Sequence, residues 1–218
     1  MLCSMCYVVM CSLISASFHV FLQHMKATAQ WTKEQNKEEA FKLSSVFNNI
    51  STFPQPVIAM INGPAYGGGV GIISACDMAF AVKSTVFALS EVTLGVIPAT
   101  ISPFVVSKIG ATACRRYFVT AERFGVDEAR RIGLINDIVE DQEALDAWEQ
   151  SLKKSMMRCS PAAICASKDL IASIEGKVIT DELREYTAGR LADVRDSPDG
   201  QEGMGAFLEK RKPSWTTL

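Results

Sequence analysis

Three consecutive glycines, Gly67, Gly68 and Gly69, stand between the apolar run "PVIAMI" and the helix-like stretch "VGIISAC", and no other feature of the chain restricts its fold as much. Glycine costs up to about 1 kcal/mol relative to alanine inside a helix, so three of them at a helix start need a reason beyond filling space. Three arrangements use so bare a backbone: a phosphate cradle for a dinucleotide, close packing with no ligand, or main-chain N–H groups held out toward a reacting oxygen. The last has a physical logic of its own. The first N–H groups of a helix lack partners within it, and the aligned peptide dipoles make that end electropositive. A carbonyl oxygen could approach Gly68 closely, and an oxyanion forming there would be stabilised.

The dinucleotide arrangement fits poorly. Gly69, Gly71 and Ser74 approximate GxGxxG, and Glu91 stands twenty residues beyond Gly71, where an acidic ribose partner could lie. That acid belongs at the end of the next strand, however, and the next strand, "MAFAV", ends at Val82 before Lys83. The third glycine is missing as well. A P-loop is excluded because no Lys-Ser or Lys-Thr follows the glycines.

Composition narrows the remaining classes. The 218 residues are enough for one domain with a substantial core, and 22 basic against 24 acidic residues leave a net charge of −2, so no global field recruits nucleic acid. The only histidines, His19 and His24, lie near the start, which sets aside hydrolases that need an imidazole base. Seven cysteines at irregular spacing read as reduced thiols, and the Cys3/Cys6 pair has no second pair at zinc-ligand spacing, so no metal site is expected. Residues 1–25 carry no Lys, Arg, Asp or Glu, yet serines, cysteines and the missing basic start weaken both the signal-peptide and the anchor reading. No membrane role is expected unless that segment acts as an anchor.

Periodicity then orders the elements. "KEQNKEEAFKLSSVFNN" predicts an amphipathic helix with Phe41, Leu43, Val46 and Phe47 on its apolar side. "PVIAMI" predicts a buried strand, a helix follows from Gly68 to Cys76, and "MAFAV" and "VFALS" predict two further strands. "TISPFVVSKIG" is a helix stopping at Gly110 with "ATACRRYFVT" directly after it, and "GVDEARRIGLINDIV" is a helix, a stop at Gly133 and a strand. From Glu143 onward the pattern is helical, ending in "PDGQEGMGAFLEKRK". Strands and helices alternate first, and a helical cluster closes the chain.

"INGPAYGGGVGIISACDMAFA", "FALSEVTLGVIPA", "ARRIGLINDIV" and "GMGAFLEKRK" resemble, in order and separation, the motifs of the enoyl-CoA hydratase/isomerase (crotonase) family. The resemblance covers roughly residues 22–218. Within the family, "GGGVGII", "SEVTLGVIPATISPFV" and "RRYFVTAERF" look nearest to 3-methylglutaconyl-CoA hydratase-like members. It implies an α/β fold, a crotonase-like spiral of ββα units with a C-terminal helical trimerisation region. The domains it implies are an atypical segment 1–21, a core 22–141 incomplete at its start, and a helical region 142–218.

The resemblance also implies roles. Gly68 matches the donor to the thioester oxygen, and Glu91 the carboxylate that exchanges a proton with the acyl chain; on composition alone Glu91 would be a solvated residue at a strand end. Ala65, Tyr66, Gly67 and Gly68 match a substrate-binding turn, and Phe207 and Lys210 match positions that contact CoA. The substrate is an acyl-CoA, CoA serving as its handle with no other cofactor, and the assembly is a homotrimer or a dimer of trimers. The location is the mitochondrial matrix in a eukaryote and the cytoplasm in a bacterium. Two departures stand out. Two-glutamate hydratases have a second Glu where this chain has Gly71, which keeps an isomerase using the single Glu91 as the alternative to a hydratase. The early strands and the loop with the second oxyanion donor, expected near Ala16 to His19, are absent or replaced by residues 1–21. A catalytically impaired scaffold is the third reading, and an intact Glu91 argues against it.

Overall fold

The structure, a computed structural model, describes residues 7–11, by their backbone alone, and residues 30–217. The atypical start, the expected second donor near Ala16 to His19 and the Cys3/Cys6 pair lie outside the described residues, apart from a strand β1 at Tyr7–Cys11. The chain forms two compact units. One comprises Val8–Phe53 with Val57–Ala147, the other chiefly Trp148–Leu218 with Pro54–Pro56.

In the first unit, helix α1 (Lys33–Ser51) starts on a reciprocal cap. Thr32 Oγ1 accepts from the Gln35 N–H, and Gln35 Oε1 accepts from the Thr32 N–H. The helix does not bury the four apolar residues expected of it. Phe47 is 2% exposed, but Phe41 is 74% exposed and Leu43 and Val46 also face outward. Among the described residues, α1 meets the core through Phe47, which packs against the Phe104 ring at 5.9 Å.

Strand β2 (Val57–Ile61) is buried at every position. It runs parallel to β4 (Met78–Val82), with Ile58 opposite Met78 and Ile61 opposite Ala81. β4 in turn pairs in parallel with β7 (Asp137–Val139), giving the sheet order β1-β2-β4-β7. Central parallel strands covered on both faces need the unbroken apolar runs that "VIAMI" and "MAFAV" supply. Polar side chains secure the strand starts: Asp77 Oδ2 accepts from the Val57 N–H at 2.7 Å, and Asn136 Oδ1 accepts from the Ala79 N–H at 2.8 Å.

Between β2 and β4 the chain forms β3 (Ala65–Tyr66) and helix α2 (Gly68–Ala75). β3 pairs in parallel with β5 (Val86–Ala88), which pairs antiparallel with β6 (Phe124–Gly125), so a second sheet has the order β3-β5-β6. Its inner row, Ala65, Phe87 and Phe124, is buried, with Phe87 stacked on Phe124 at 5.6 Å. Helix α3 (Ser102–Thr120) breaks at Gly110, whose φ of +75° is one that L residues rarely adopt. The sequence stop at Gly110 is therefore a kink with helix on both sides. Lys108, just before it, donates to the Cys76 and Asp77 carbonyls at 3.0 and 3.3 Å, placing a cation at the negative end of α2.

Helix α4 (Val126–Arg131) is tied to α3 by Glu128, whose carboxylate accepts from Arg131 and from the Tyr117 hydroxyl. The Arg131 guanidinium first and the Tyr117 hydroxyl second hold that carboxyl down at about 2. Helix α5 (Gln142–Met156) runs from the first unit into the second. The second unit adds α6 (Pro161–Ile174), α7 (Asp181–Asp196) and α8 (Pro198–Leu208). Ser160 joins two of them: its hydroxyl accepts from the Ala163 N–H and donates to Asp199 Oδ2. Cys114, Cys159 and Cys165 are free thiols, and no helix among the described residues is long and apolar enough to cross a membrane.

Candidate active site

The glycine run makes a turn that a side chain would spoil. Gly67 has φ +48° and ψ −114°, and its N–H donates to the Ala88 carbonyl at 3.0 Å, so the turn is pinned to the middle strand of the second sheet. A Cβ built on Gly67 would stand 3.0 Å from Glu91 Oε1. Close approach and positive φ together require glycine there. Gly68 opens α2 with no side-chain cap before it, and the first intrahelical bond of the turn is the Gly71 N–H to the Gly67 carbonyl at 3.1 Å. The N–H groups of the first turn thus have no acceptor one helical turn behind them. A Cβ on Gly68 would meet nothing within 4 Å, so the space beside this end of the helix is open.

Glu91 reaches the turn from the other side. The strand expected to run to Ser90 stops at Ala88, and Glu91 begins a single 3₁₀ turn, Glu91–Leu94, closed by Gly95 in the left-handed region at φ +73°. The Thr93 hydroxyl and N–H both donate to the Ser90 carbonyl, which fixes the turn. Glu91 Oε2 is buried with no hydrogen-bond partner among the described residues. Burial pushes the Glu91 carboxyl above the usual carboxylate range, against a weaker lowering by its own main-chain N–H. A half-buried acid that reprotonates readily, beside an electropositive helix start, can give and take a proton while an oxygen nearby gains negative charge.

The position one turn beyond Gly67 is closed. A Cβ on Gly71 would lie 2.3 Å from Ile101 Cγ2 and 3.0 Å from Phe47 Cε1, both buried side chains. The sequence shows that a second acid is missing there; the fold fills its space with hydrocarbon. Gly71→Ala is therefore expected to cost about 1–3 kcal/mol by forcing Ile101 and Phe47 out of place. Urea unfolding measures it, and an unchanged midpoint would mean that the pair repacks freely.

The other expected site residues divide. Tyr66 is half-exposed beside the turn, whereas Ala65 turns its methyl into the core and contributes main chain alone. Phe207 and Lys210 belong to the helical unit. Phe207, near the end of α8, is 82% exposed. Lys210 lies beyond the helix, which ends at Leu208, and has φ +55°. Three further residues stand at or beside the site: Ile101 and Phe47 against Gly71, and Arg123 against Tyr66. Ile101 and Phe47 have no signal beyond apolarity, and Arg123, whose guanidinium lies 5.6 Å from the Tyr66 ring centroid, becomes visible only through strand register.

Residues 9–217 match the family model described as enoyl-CoA hydratase/isomerase. A putative enoyl-CoA hydratase of Thermus thermophilus is 29% identical over 88% of this chain and 75% of its own length. The carnitinyl-CoA dehydratase of Shigella flexneri is 32% identical over 79% of the chain and 66% of its own. Against several other curated relatives the chain spans about half to three fifths of their length. A crystal structure of an enoyl-CoA hydratase from Shewanella pealeana superposes with a TM-score of 0.84 at 40% identity, covering 89% of this chain and 72% of that one.

Proposed function

The chain belongs to the enoyl-CoA hydratase/isomerase family and has its crotonase α/β fold, and from that premise we propose that it acts on an acyl-CoA thioester as an enoyl-CoA hydratase. The observation that carries the reading is the Glu91 carboxyl lying against Gly67 at the open start of α2, its buried Oε2 without a hydrogen-bond partner among the described residues. The thioester oxygen approaches the Gly68 N–H. Glu91 takes a proton from water as the water oxygen bonds to C3, the electron pair of the 2,3 double bond moves onto the thioester oxygen as an enolate, and Glu91 returns the proton to C2. The N–H and the helix dipole stabilise the charge as it forms, and no metal or redox group takes part in these steps. A branched, carboxylated enoyl chain of the 3-methylglutaconyl type is the proposed substrate.

A second reading is favoured by one observation, the hydrocarbon packed against Gly71. With one carboxylate and no polar group in the second position, Glu91 could instead take a proton from C2 of a 3-enoyl thioester and return it to C4, moving the double bond with no water added. Purified protein offered 3-methylglutaconyl-CoA, crotonyl-CoA and a 3-enoyl-CoA, followed by ultraviolet absorbance and product mass, separates the two. Hydration adds 18 Da and isomerisation adds nothing; inertness toward all three would overturn both. We further propose a homotrimer or dimer of trimers, supported by two exposed apolar pairs on the helical unit, Val178 with Ile179 and Phe207 with Leu208.

A further inference from the structure

Strand register in the second sheet places Tyr66 opposite Ala88 and Phe87 opposite Phe124, and continuing it by one residue brings Arg123 to the other side of Ala88. Tyr66, Ala88 and Arg123 thus form a row on the face away from the buried Ala65, Phe87 and Phe124. Two strand spacings, about 10 Å, separate the outer backbones, and the methyl of Ala88 between them lets both long side chains lean inward. They meet: the Arg123 guanidinium carbon lies 5.6 Å from the Tyr66 ring centroid, within the range of a cation over an aromatic face.

That contact holds the guanidinium near the ring by its charge and uses none of its N–H donors in a hydrogen bond. Arg123 has no hydrogen-bond or ion-pair partner among the described residues, whereas Arg116, Arg130 and Arg131 each pair with a carboxylate. The row is also fixed to the glycine turn, since the carbonyl of Ala88 accepts the Gly67 N–H. Behind it, Phe124 packs on Phe87 and on Tyr117, so β6, which begins directly after Arg123, is anchored in the core. A planar cation already oriented by an aromatic ring loses little freedom when an anion arrives.

We propose that Arg123, oriented by Tyr66, is a subsite for an anionic group of the thioester substrate, either a carboxylate on the acyl chain or a phosphate of its carrier. The assignment rests on the acyl-thioester reading of the glycine turn. It also fits the charge of the chain: a protein of net charge −2 draws no anion by its overall field and must meet one locally.

The test compares wild type, Arg123→Gln and Arg123→Lys on four thioesters: crotonyl and 3-methylglutaconyl groups, each on CoA and on N-acetylcysteamine, which has no phosphate. Arg123→Gln is expected to raise KM about tenfold for the thioesters carrying the recognised anion, with much less change in kcat, and lysine to recover part of the loss. A penalty on both CoA thioesters assigns the phosphate; a penalty on both 3-methylglutaconyl thioesters assigns the carboxylate. Equal KM for wild type and Arg123→Gln on all four overturns the proposal. So does an equal loss on all four, the uncharged crotonyl N-acetylcysteamine thioester included, accompanied by a lower melting temperature, because Arg123 then serves the fold alone. A wild type that turns over none of the four, nor a 3-enoyl-CoA, refutes the acyl-thioester reading itself and this subsite with it.

Discussion

Glu91→Gln lowers kcat by about 10²–10⁴-fold and leaves the protein as stable as the wild type, or more so, at neutral pH. The amide keeps the shape of the carboxyl but can neither accept nor return a proton. Its stability follows from linkage. Burial raises the folded-state pKa of Glu91, so the folded protein holds this proton to higher pH than the unfolded chain does. The corresponding stabilisation is complete below the unfolded value near 4.5 and is lost as pH rises through the folded one. Glutamine, neutral throughout, escapes that loss, so its advantage in melting temperature is absent in acid and grows toward neutrality. Turnover assays and thermal melts from pH 4 to 8 check both halves. A variant with near-normal kcat would remove Glu91 from the proton path, and one less stable at pH 7 than at pH 4 relative to wild type would refute the claim that its charge is costly to bury.

Gly68→Val separates the needs of the fold from the needs of the chemistry. Nothing stands within 4 Å of a Cβ at Gly68, so the empty protein has room for the new side chain, and valine is no worse a helix former than the glycine it replaces. The open space is the approach to the first N–H groups of α2, and isopropyl bulk there keeps the thioester oxygen from them. Loss of one such donor lowers kcat by about 10²–10³-fold. Circular dichroism and melting should stay close to wild type while turnover collapses. Unchanged kinetics would move the oxyanion site elsewhere. At Gly71, one turn on, the same logic inverts: Ile101 and Phe47 stand in the way, and the fold suffers before any chemistry is tested.

Much of this was legible before any coordinates. Buried parallel strands announce themselves by unbroken apolar runs, which is why "PVIAMI" and "MAFAV" read correctly, and positive-φ glycines break the helices, as a stop at Gly133 and a kink at Gly110, because few other residues adopt that conformation. The motifs pointed to Gly68 and Glu91, and the fold sets the Glu91 carboxyl beside Gly67, the residue before Gly68. What was not legible depended on partners distant in sequence. The apolar side of α1 read as four buried residues, but periodicity gives a face and not the extent of what covers it, and only Phe47 finds the core. Glu91 left the strand because Gly95 closes a 3₁₀ turn around it. Arg123 looked like any surface arginine until strand register set it over Tyr66.

The pairing of the strands also bears on the order in which the protein assembles. β2 meets β4 across only 20 residues, with α2 in the connection, whereas β4 meets β7 across 57. Closing the shorter loop costs less chain entropy, so the segment from Val57 to Val82 can form a contiguous nucleus before Asp137 docks. Gly67 and Gly68 lie inside that nucleus, and Glu91 follows within nine residues of its end. On a ribosome, the donor turn and the proton carrier can therefore meet while the helices after Trp148 have yet to emerge. Variation in those later helices then reaches the finished protein with little effect on how its chemical centre is built.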